Sequence, residues 1–270
     1  MNFKLLITVS IFTLLITACT EIIDVDINSA KPQTVVEASI ALNEPAKVII
    51  SKSIDLDQPI NFVGIENAIV KITDNSGKSE ILKHIKQGLY SSTALFGEKG
   101  KTYTLSIQNG EESISSLSTI PNFVPIDSFK VEKSIYPGGG GPMGDMPANF
   151  LEIKIKYTDQ INEKNYYRIL LSVNGIARSG NDISDDRFNN GKQVESTLIM
   201  FDHNLKTGDK IGIEMQCIDK NVFEYFKSMG NSAMGPGNSS SPANPYTNLK
   251  GVLLGFFNAH TVERKEYILP

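Results

Sequence analysis

Apolar and polar residues alternate along most of the chain, in short segments that turn residues separate. In the first half these segments are rich in β-branched and aromatic residues and lie at 34–41, 46–51, 68–73, 79–85, 101–108 and 112–119. A period of two is typical of half-buried strands. Asp74-Asn75-Ser76-Gly77 and Asn109-Gly110 favour tight hairpin turns. The pattern predicts an N-terminal immunoglobulin-like β-sandwich over residues 34–120.

The second half repeats this pattern after a junction at 119–128, where two prolines restrict the preceding residues to extended geometry. Alternating segments resume at 128–135, 150–158, 165–174, 195–202 and 210–218, and further apolar segments close the chain. Long stretches at 136–149 and 231–248 have the composition of loops. We therefore predict a second antiparallel β domain over residues 126–270 that carries these two long loops.

One segment, at 221–230, has a different period. Val222, Phe223, Phe226 and Met229 lie three or four residues apart, which predicts a short amphipathic helix that Gly230 would end. The predicted fold class is therefore all-β with a minor α component.

The first 18 residues have the organisation of a secretory signal peptide. Lys4 precedes an apolar run that extends from Leu5 to Ala18. A helix of this length, at about 1.5 Å per residue, falls short of the roughly 30 Å hydrocarbon core of a bilayer. We predict that residues 1–18 are removed and that an acidic tether over residues 19–33 precedes the first domain.

The expected cleavage site ends in a cysteine. Ile16-Thr17-Ala18-Cys19 resembles the bacterial lipobox, which implies that Cys19 is acylated and anchors the protein to a membrane. An ordinary secretory signal with a chance cysteine is the alternative. Thr20 stands where some bacterial lipoproteins carry the aspartate that retains them at the inner membrane, and the acidic residues after it resemble an export tract of Bacteroidota surface lipoproteins. The expected location is the outer membrane, on its periplasmic or cell-surface face.

The charge of the chain argues against nucleic-acid partners. The formal net charge is -4 at pH 7, and no basic stripe is present to contact phosphates. The second cysteine, Cys217, lies in an alternating segment and is expected to be a small core residue.

Two patterns that suggest catalysis or cofactor binding are incomplete. Gly139 and Gly144 have the spacing of a phosphate-binding loop, but Asp145 stands where such a loop needs lysine. We interpret this stretch as an exposed loop between strands, open to contact with a partner. The histidines, at 84, 203 and 260, form no metal-binding or catalytic motif, and GxSxG is absent. We predict no cofactor and no enzymatic activity.

Asp182, Asp185 and Asp186 cluster between residues 181 and 192, and closely spaced carboxylates are ligands that Ca²⁺ prefers. The spacing fits an EF-hand poorly, so we favour a solvated loop with local turns and keep the aspartates as weak metal candidates. Tyr225 and Tyr246 flank the long second loop. They are weak candidates for ligand or partner contact, and core packing is the favoured alternative.

The order of several segments resembles a Bacteroidota outer-membrane lipoprotein family catalogued as domain of unknown function 4249. The segments are VDINSAKPQTVVEASI, GIENAIVKITDNSGK (64–78), GLYSSTALFGEKGKTYTLSI (88–107), DDRFNNGK (185–192), LKTGDKIGIEM (205–215), FEYFKSM (223–229) and SPANPYTNLKGVLLGFFNAHTV (241–262). Members are typically encoded beside TonB-dependent receptors, so the resemblance implies a receptor-associated role. It assigns no catalytic residue.

These observations predict a lipid-anchored, non-enzymatic outer-membrane or cell-surface protein that acts as accessory or binding partner of a TonB-dependent receptor in nutrient capture. A structural or assembly lipoprotein of the envelope without a small ligand is the first alternative. A hydrolase on a β-scaffold is the second, and a deep polar pocket in the second domain would favour it.

Overall fold

The computed structural model describes residues 31–54, 62–135, 149–178, 180, 182–201, 204–233, 244–252 and 254–270. The predicted signal peptide, Cys19 and nearly all of the predicted tether lie outside these residues. Within the described part of the chain, no helix is long and apolar enough to cross a membrane. The chain from Pro32 to Pro270 forms one compact unit.

The predicted all-β class with a minor α component is confirmed. The strands are β1 Thr34–Ala41, β2 Pro45–Lys52, β3 Val63–Gly64, β4 Ile69–Asp74, β5 Ser79–Ile81, β6 Lys83–Lys86, β7 Leu89–Phe96, β8 Thr102–Asn109, β9 Glu112–Thr119, β10 Ile126–Ile135, β11 Asn149–Thr158, β12 Tyr166–Val173, β13 Ile176–Ala177, β14 Asp182–Asp185, β15 Gln193–Met200, β16 Lys210–Cys217, β17 Leu249–Lys250 and β18 Leu254–Ile268. The helix, α1, is Lys220–Ala233.

The first lobe is a β-sandwich. A five-stranded sheet in the order β17-β9-β8-β4-β5 packs against strands of a ten-stranded sheet, among them β1, β2 and β7. Alternate residues of both sheets face inward, as the period of two predicts, and form one apolar cluster. Its members are fully or nearly buried and include Val36, Ile40, Val48, Ile50, Ile72, Tyr90, Tyr103, Leu105, Ile107 and Phe257.

The second lobe repeats this arrangement with fewer strands. A three-stranded sheet in the order β10-β11-β15 packs against β12 and β16 of the ten-stranded sheet. Its apolar cluster includes Leu151, Ile153, Ile155, Tyr157, Tyr167, Ile169, Ile211, Ile213, Met215 and Cys217. Cys217 is buried there, so the predicted core position of this cysteine is confirmed.

The last strand, β18, belongs to both lobes. Residues 254–260 pair in parallel with β1, and residues 261–268 pair antiparallel with β16. The junction at 119–128 does fall between the two apolar clusters, yet one sheet runs through both lobes by way of β18. The division into two separate domains stays a prediction.

Local signals placed several turns correctly. Asp74 Oδ1 accepts hydrogen bonds from the backbone N–H groups of Ser76 and Lys78, both at 2.9 Å, and Gly77 has a φ of 90°. The hydroxyl of Ser76, aided by Lys101, holds the pKa of the Asp74 carboxyl well below its usual value. The sequence pattern predicts one strand over 79–85, but the structure has two, β5 and β6. The chain crosses at Leu82, so β5 joins the five-stranded sheet and β6 the ten-stranded sheet.

The helix begins where predicted but ends later. Asp219 Oδ1 accepts a hydrogen bond from the backbone N–H of Val222 at 3.0 Å, which caps the first turn. The prediction that Gly230 ends the helix is wrong, because Gly230 keeps a negative φ and the helix continues to Ala233. A glycine ends a helix when it adopts the left-handed conformation, and here it does not.

The first half of β18 pairs with β1 along one edge. Along its other edge, side chains instead of a full strand form hydrogen bonds with its backbone. The Asn248 amide donates to the carbonyl of Phe257 at 2.7 Å, and its oxygen accepts the backbone N–H of Phe257 at 3.0 Å. Ser118 Oγ accepts the backbone N–H of Ala259 at 2.9 Å. These bonds satisfy buried backbone groups that would otherwise have no partner at the edge of the sheet.

We expect the Asn248→Ala variant to lose about 2–3 kcal/mol of unfolding free energy, because both backbone groups of buried Phe257 lose their partner. Urea denaturation of the variant and of wild type measures this loss. The control is Asn190→Ala on an exposed turn, which should change stability by less than about 0.5 kcal/mol. If the two variants were equally stable, the hydrogen bonds between Asn248 and Phe257 would not contribute to stability as expected.

His260 lies at the point where β18 leaves β1 and joins β16. The residue is 5 % exposed, and Nδ1 of its ring lies 3.2 Å from the carbonyl oxygen of Asn258. Burial lowers the pKa of His260 to about 4, because a charged imidazolium would lose its hydration. The histidine is therefore a neutral core residue at pH 7.

We expect His260 to make the fold sensitive to acid. As pH falls from about 6.5 to about 4, the unfolded chain takes up a proton on His260 that the folded chain refuses, so stability falls by up to about 3 kcal/mol. Urea denaturation over this pH range measures the loss. The His260→Gln variant should lack this component, whereas His84→Gln at an exposed position should keep it. An unchanged pH profile in His260→Gln would disprove the assignment.

Candidate functional site

The three candidate aspartates lie close in sequence but have separate environments. Asp182 and Asp185 belong to β14, so the prediction of a loop at this point is wrong for residues 182–185. An odd spacing on a strand directs their side chains to opposite faces. Asp185 forms an ion pair with Arg187, whose Nε lies 2.8 Å from Oδ2. Asp186 Oδ2 accepts the backbone N–H of Asn165 at 3.1 Å.

These partners show that Asp185 and Asp186 shape the turn after β14. Within the described part of the chain, no group of three histidine, cysteine, aspartate or glutamate residues is placed to hold a metal ion. The structure thus does not bring the three aspartates together.

Asp182 lines a concave site in the second lobe, which we call the edge cleft. It lies between β12, the segment that leads into β14, and the end of β15, the edge strand of the three-stranded sheet. Its lining residues are Ile169, Leu171, Arg178, Gly180, Asp182, Thr197, Leu198, Ile199, Met200 and Phe201. The cavity volume is about 680 Å³, within the range of small-molecule sites.

The edge cleft combines apolar walls with two ionisable side chains. Partial burial raises the pKa of the Asp182 carboxyl, because the charged form loses part of its hydration. Ile199 is 53 % exposed and Phe201, just after β15, is 48 % exposed, so the apolar lining of the cleft reaches the protein surface. Such a surface can hold an apolar ligand or a partner chain.

Tyr225 is a core residue. Its ring packs against Phe226 at 5.0 Å and Phe256 at 4.9 Å between ring centroids. This aromatic cluster also covers Arg168, whose guanidinium carbon lies 3.7 Å from the ring centroid of Phe226. Burial lowers the pKa of Arg168 to about 10. The packing alternative for Tyr225 is therefore correct.

Tyr246 is 48 % exposed and lines a second concave site, which we call the Tyr246 groove. This groove has a volume of about 500 Å³ and lies beside β9, the first turn of α1 and β17. Its lining residues are Thr104, Ser115, Ser116, Leu117, Asn221, Tyr246, Thr247, Asn248, Leu249 and Lys250. The sequence pointed to Tyr246 through its place beside a long loop. It did not point to the other lining residues, which come from β8, β9, α1 and the four residues directly after Tyr246.

The remaining sequence candidates lie elsewhere. The ring of His84 packs against Tyr90 at 5.1 Å, and His260 is in the core. His203 and the glycine-rich stretch at 136–148 lie outside the described residues, as do residues 234–243 of the second predicted loop.

A family model described as domain of unknown function (DUF4249) matches residues 20–266. The chain belongs to this family. The resemblance drawn from the order of sequence segments is thereby confirmed. No curated protein matches the chain.

We expect calcium to leave the protein unchanged, because Asp185 and Asp186 already have partners and Asp182 faces a different site. Thermal unfolding with and without millimolar CaCl₂ measures this, with MgCl₂ as the control for ionic strength. A rise in melting temperature of about 2 °C or more in calcium alone would contradict the expectation.

Proposed function

We propose that this DUF4249 protein is a lipid-anchored, non-enzymatic binding protein of the bacterial outer membrane or cell surface. It acts as an accessory or binding partner of a TonB-dependent receptor in nutrient capture. Cys19 carries the lipid, and the acidic residues that follow it join the anchor to the folded unit that begins at Pro32.

The observation that carries this proposal is the position of Cys19 relative to the family match. The match begins at residue 20, directly after the cysteine of Ile16-Thr17-Ala18-Cys19. This start supports a mature chain whose first residue is Cys19. Several acyl chains on one cysteine hold a protein on a bilayer stably, because each buried CH₂ contributes about 0.8 kcal/mol.

The two concave sites support a binding role. The edge cleft combines apolar walls with a few polar groups, which is the usual composition of a small-molecule site. The Tyr246 groove combines an exposed aromatic ring with hydroxyl and amide groups. A hydrolase would use a nucleophile beside a general base. In the described lining of the edge cleft, no hydrogen bond joins the Thr197 hydroxyl to the Asp182 carboxylate, so these two residues do not form a paired nucleophile and base, and we favour binding over acyl transfer.

A structural or assembly role in the envelope is the second candidate, and the edge of β15 favours it. Ile199 on the edge strand β15 and Phe201 just after this strand are about half exposed, and the ring of Phe201 packs on Phe150 with centroids 5.6 Å apart. Apolar side chains on a strand edge suit contact with another protein.

We expect the Cys19→Ser variant to leave the membrane, because it lacks the thiol that would receive the lipid. The measurement is the distribution of the protein between membrane and soluble fractions after a high-salt wash. Cys217→Ser is the matched control, and it should stay with the membrane because its thiol is in the core. If Cys19→Ser stayed on the washed membranes, the proposal that Cys19 carries the lipid anchor would be wrong.

The partner is tested by affinity purification of the wild-type protein from detergent-solubilised outer membranes. Recovery of a TonB-dependent receptor in stoichiometric amount supports the proposal, with an unrelated lipoprotein as the control bait. If the bait were repeatedly recovered without a receptor, the receptor partnership would be wrong and the structural role would be the better conclusion.

A further inference from the structure

We propose that the Tyr246 groove binds a neutral saccharide, with the Tyr246 ring as a platform for the sugar and the surrounding hydroxyl and amide groups as its hydrogen-bonding partners. This inference rests on the proposed function, because it names the class of nutrient that a capture protein would bind.

The platform is held in place from two directions. The backbone N–H of Tyr246 donates to Ser228 Oγ at 2.8 Å, and that hydroxyl donates to the carbonyl of Tyr225 at 2.8 Å. The phenol of Tyr246 lies 3.4 Å from Asn221 Oδ1. The ring is therefore positioned before any ligand arrives, which lowers the entropic cost of binding.

The floor of the groove is equally fixed. The Asn248 amide is paired with the backbone of Phe257, and Ser116 Oγ donates to the carbonyl of Asn248 at 2.8 Å. Leu249 is buried beneath. These contacts tie the groove to β18 and give it a permanent shape.

The part of the groove that β8 and β9 form carries both apolar and hydroxyl groups. Leu117 is 57 % exposed, and Thr104 lies opposite it on β8. Ser115 lies two residues away on the same face of β9. Within the described part of the chain, no hydrogen bond engages the hydroxyls of Thr104 and Ser115, so they are available to a ligand.

This mixture of groups suits a saccharide. A pyranose has apolar CH faces, which pack on aromatic and aliphatic side chains, and equatorial hydroxyls, which bond to hydroxyl and amide groups at its edges. Tyr246 and Leu117 supply the first kind of surface. Thr104, Ser115 and Asn221 supply the second.

An anionic ligand fits less well. The N-terminus of α1 adjoins the groove through Asn221, but the Asp219 carboxylate already occupies it by accepting the backbone N–H of Val222. The same carboxylate accepts the hydroxyl of Ser118 and the backbone N–H of Thr119. A phosphate or sulfate would meet a fixed negative charge, and Lys250 is the one cation among the lining residues that the structure describes.

A peptide bound as an added strand fits less well too. At Ser115 and Ser116 the edge of β9 is already paired with Lys250 and Leu249 of β17. An incoming strand would have to displace β17 before it could form backbone hydrogen bonds there.

The test is isothermal titration of the full mature chain in detergent with neutral oligosaccharides, namely malto-, laminari-, manno-, xylo- and chito-hexaose. We expect one class to bind. The Tyr246→Ala variant should lose about fivefold or more in affinity, whereas Tyr246→Phe, which keeps the ring, should stay within about twofold of wild type. Thr104→Val, which removes one hydroxyl at similar volume, should weaken binding as well.

Phe188→Ala is the matched control, because Phe188 is an aromatic residue that is 82 % exposed and lies outside the groove. Melting temperatures equal to that of wild type confirm that each variant is folded. Absence of binding to every oligosaccharide at millimolar concentration, or undiminished binding by folded Tyr246→Ala, would overturn the inference.

Receptor purification separates this inference from the proposed function. If a receptor is recovered and no oligosaccharide binds, the saccharide site is wrong and the receptor-associated role stands. If an oligosaccharide binds in a Tyr246-dependent manner and no receptor is recovered, the groove stands and the receptor partnership is wrong.

Discussion

The division of β18 between two partners is the constraint on which the rest of the structure depends. Its first half pairs in parallel with β1, and its second half pairs antiparallel with β16. Because one continuous strand serves both lobes, neither lobe can shift or rotate without breaking a ladder of backbone hydrogen bonds. On the face of β18, Arg264 adds ion pairs to Glu44 at 2.5 Å and Glu214 at 2.7 Å, which again link the first lobe to the second.

Polar side chains form hydrogen bonds with backbone groups that the strand ladders leave unpaired. Asn248 pairs with the backbone of Phe257, and Asp219 accepts hydrogen bonds from α1 and from the end of β9. These residues join the helix and the loop before β17 to the sheet, and the Tyr246 groove forms where the three meet. The edge cleft forms at the other lobe, where the three-stranded sheet ends at β15 and faces a wider sheet. Both concave sites thus follow from how the sheets end.

Sequence patterns located most strands of the first lobe, the helix, the turns at Asp74 and Asn109, and the core role of Cys217. The patterns did not locate strands whose position depends on pairing with another part of the chain. β7 and β14 lack a clear alternation, and the segment at 79–85 divides between two sheets because Leu82 turns into the core. Of the candidate residues, Tyr246 does line a concave site, whereas Tyr225 is buried in an aromatic cluster. The sequence pattern did not indicate that Asp185 would pair with Arg187, or that Asp186 would accept the backbone N–H of Asn165.

The sequence by itself determined the fold class and the family, because both depend on local periodicity and on the order of segments along the chain. It also marked Cys19 as the candidate for lipidation, since resemblance to a lipobox is read from contiguous residues. Only the tertiary structure decided that the first strand pairs in parallel with the last, because no turn or spacing encodes a contact across the whole chain. The same holds for the Tyr246 groove. Its lining comes from β8, β9, α1 and the segment before β18, which are brought together by sheet pairing and by Asn248.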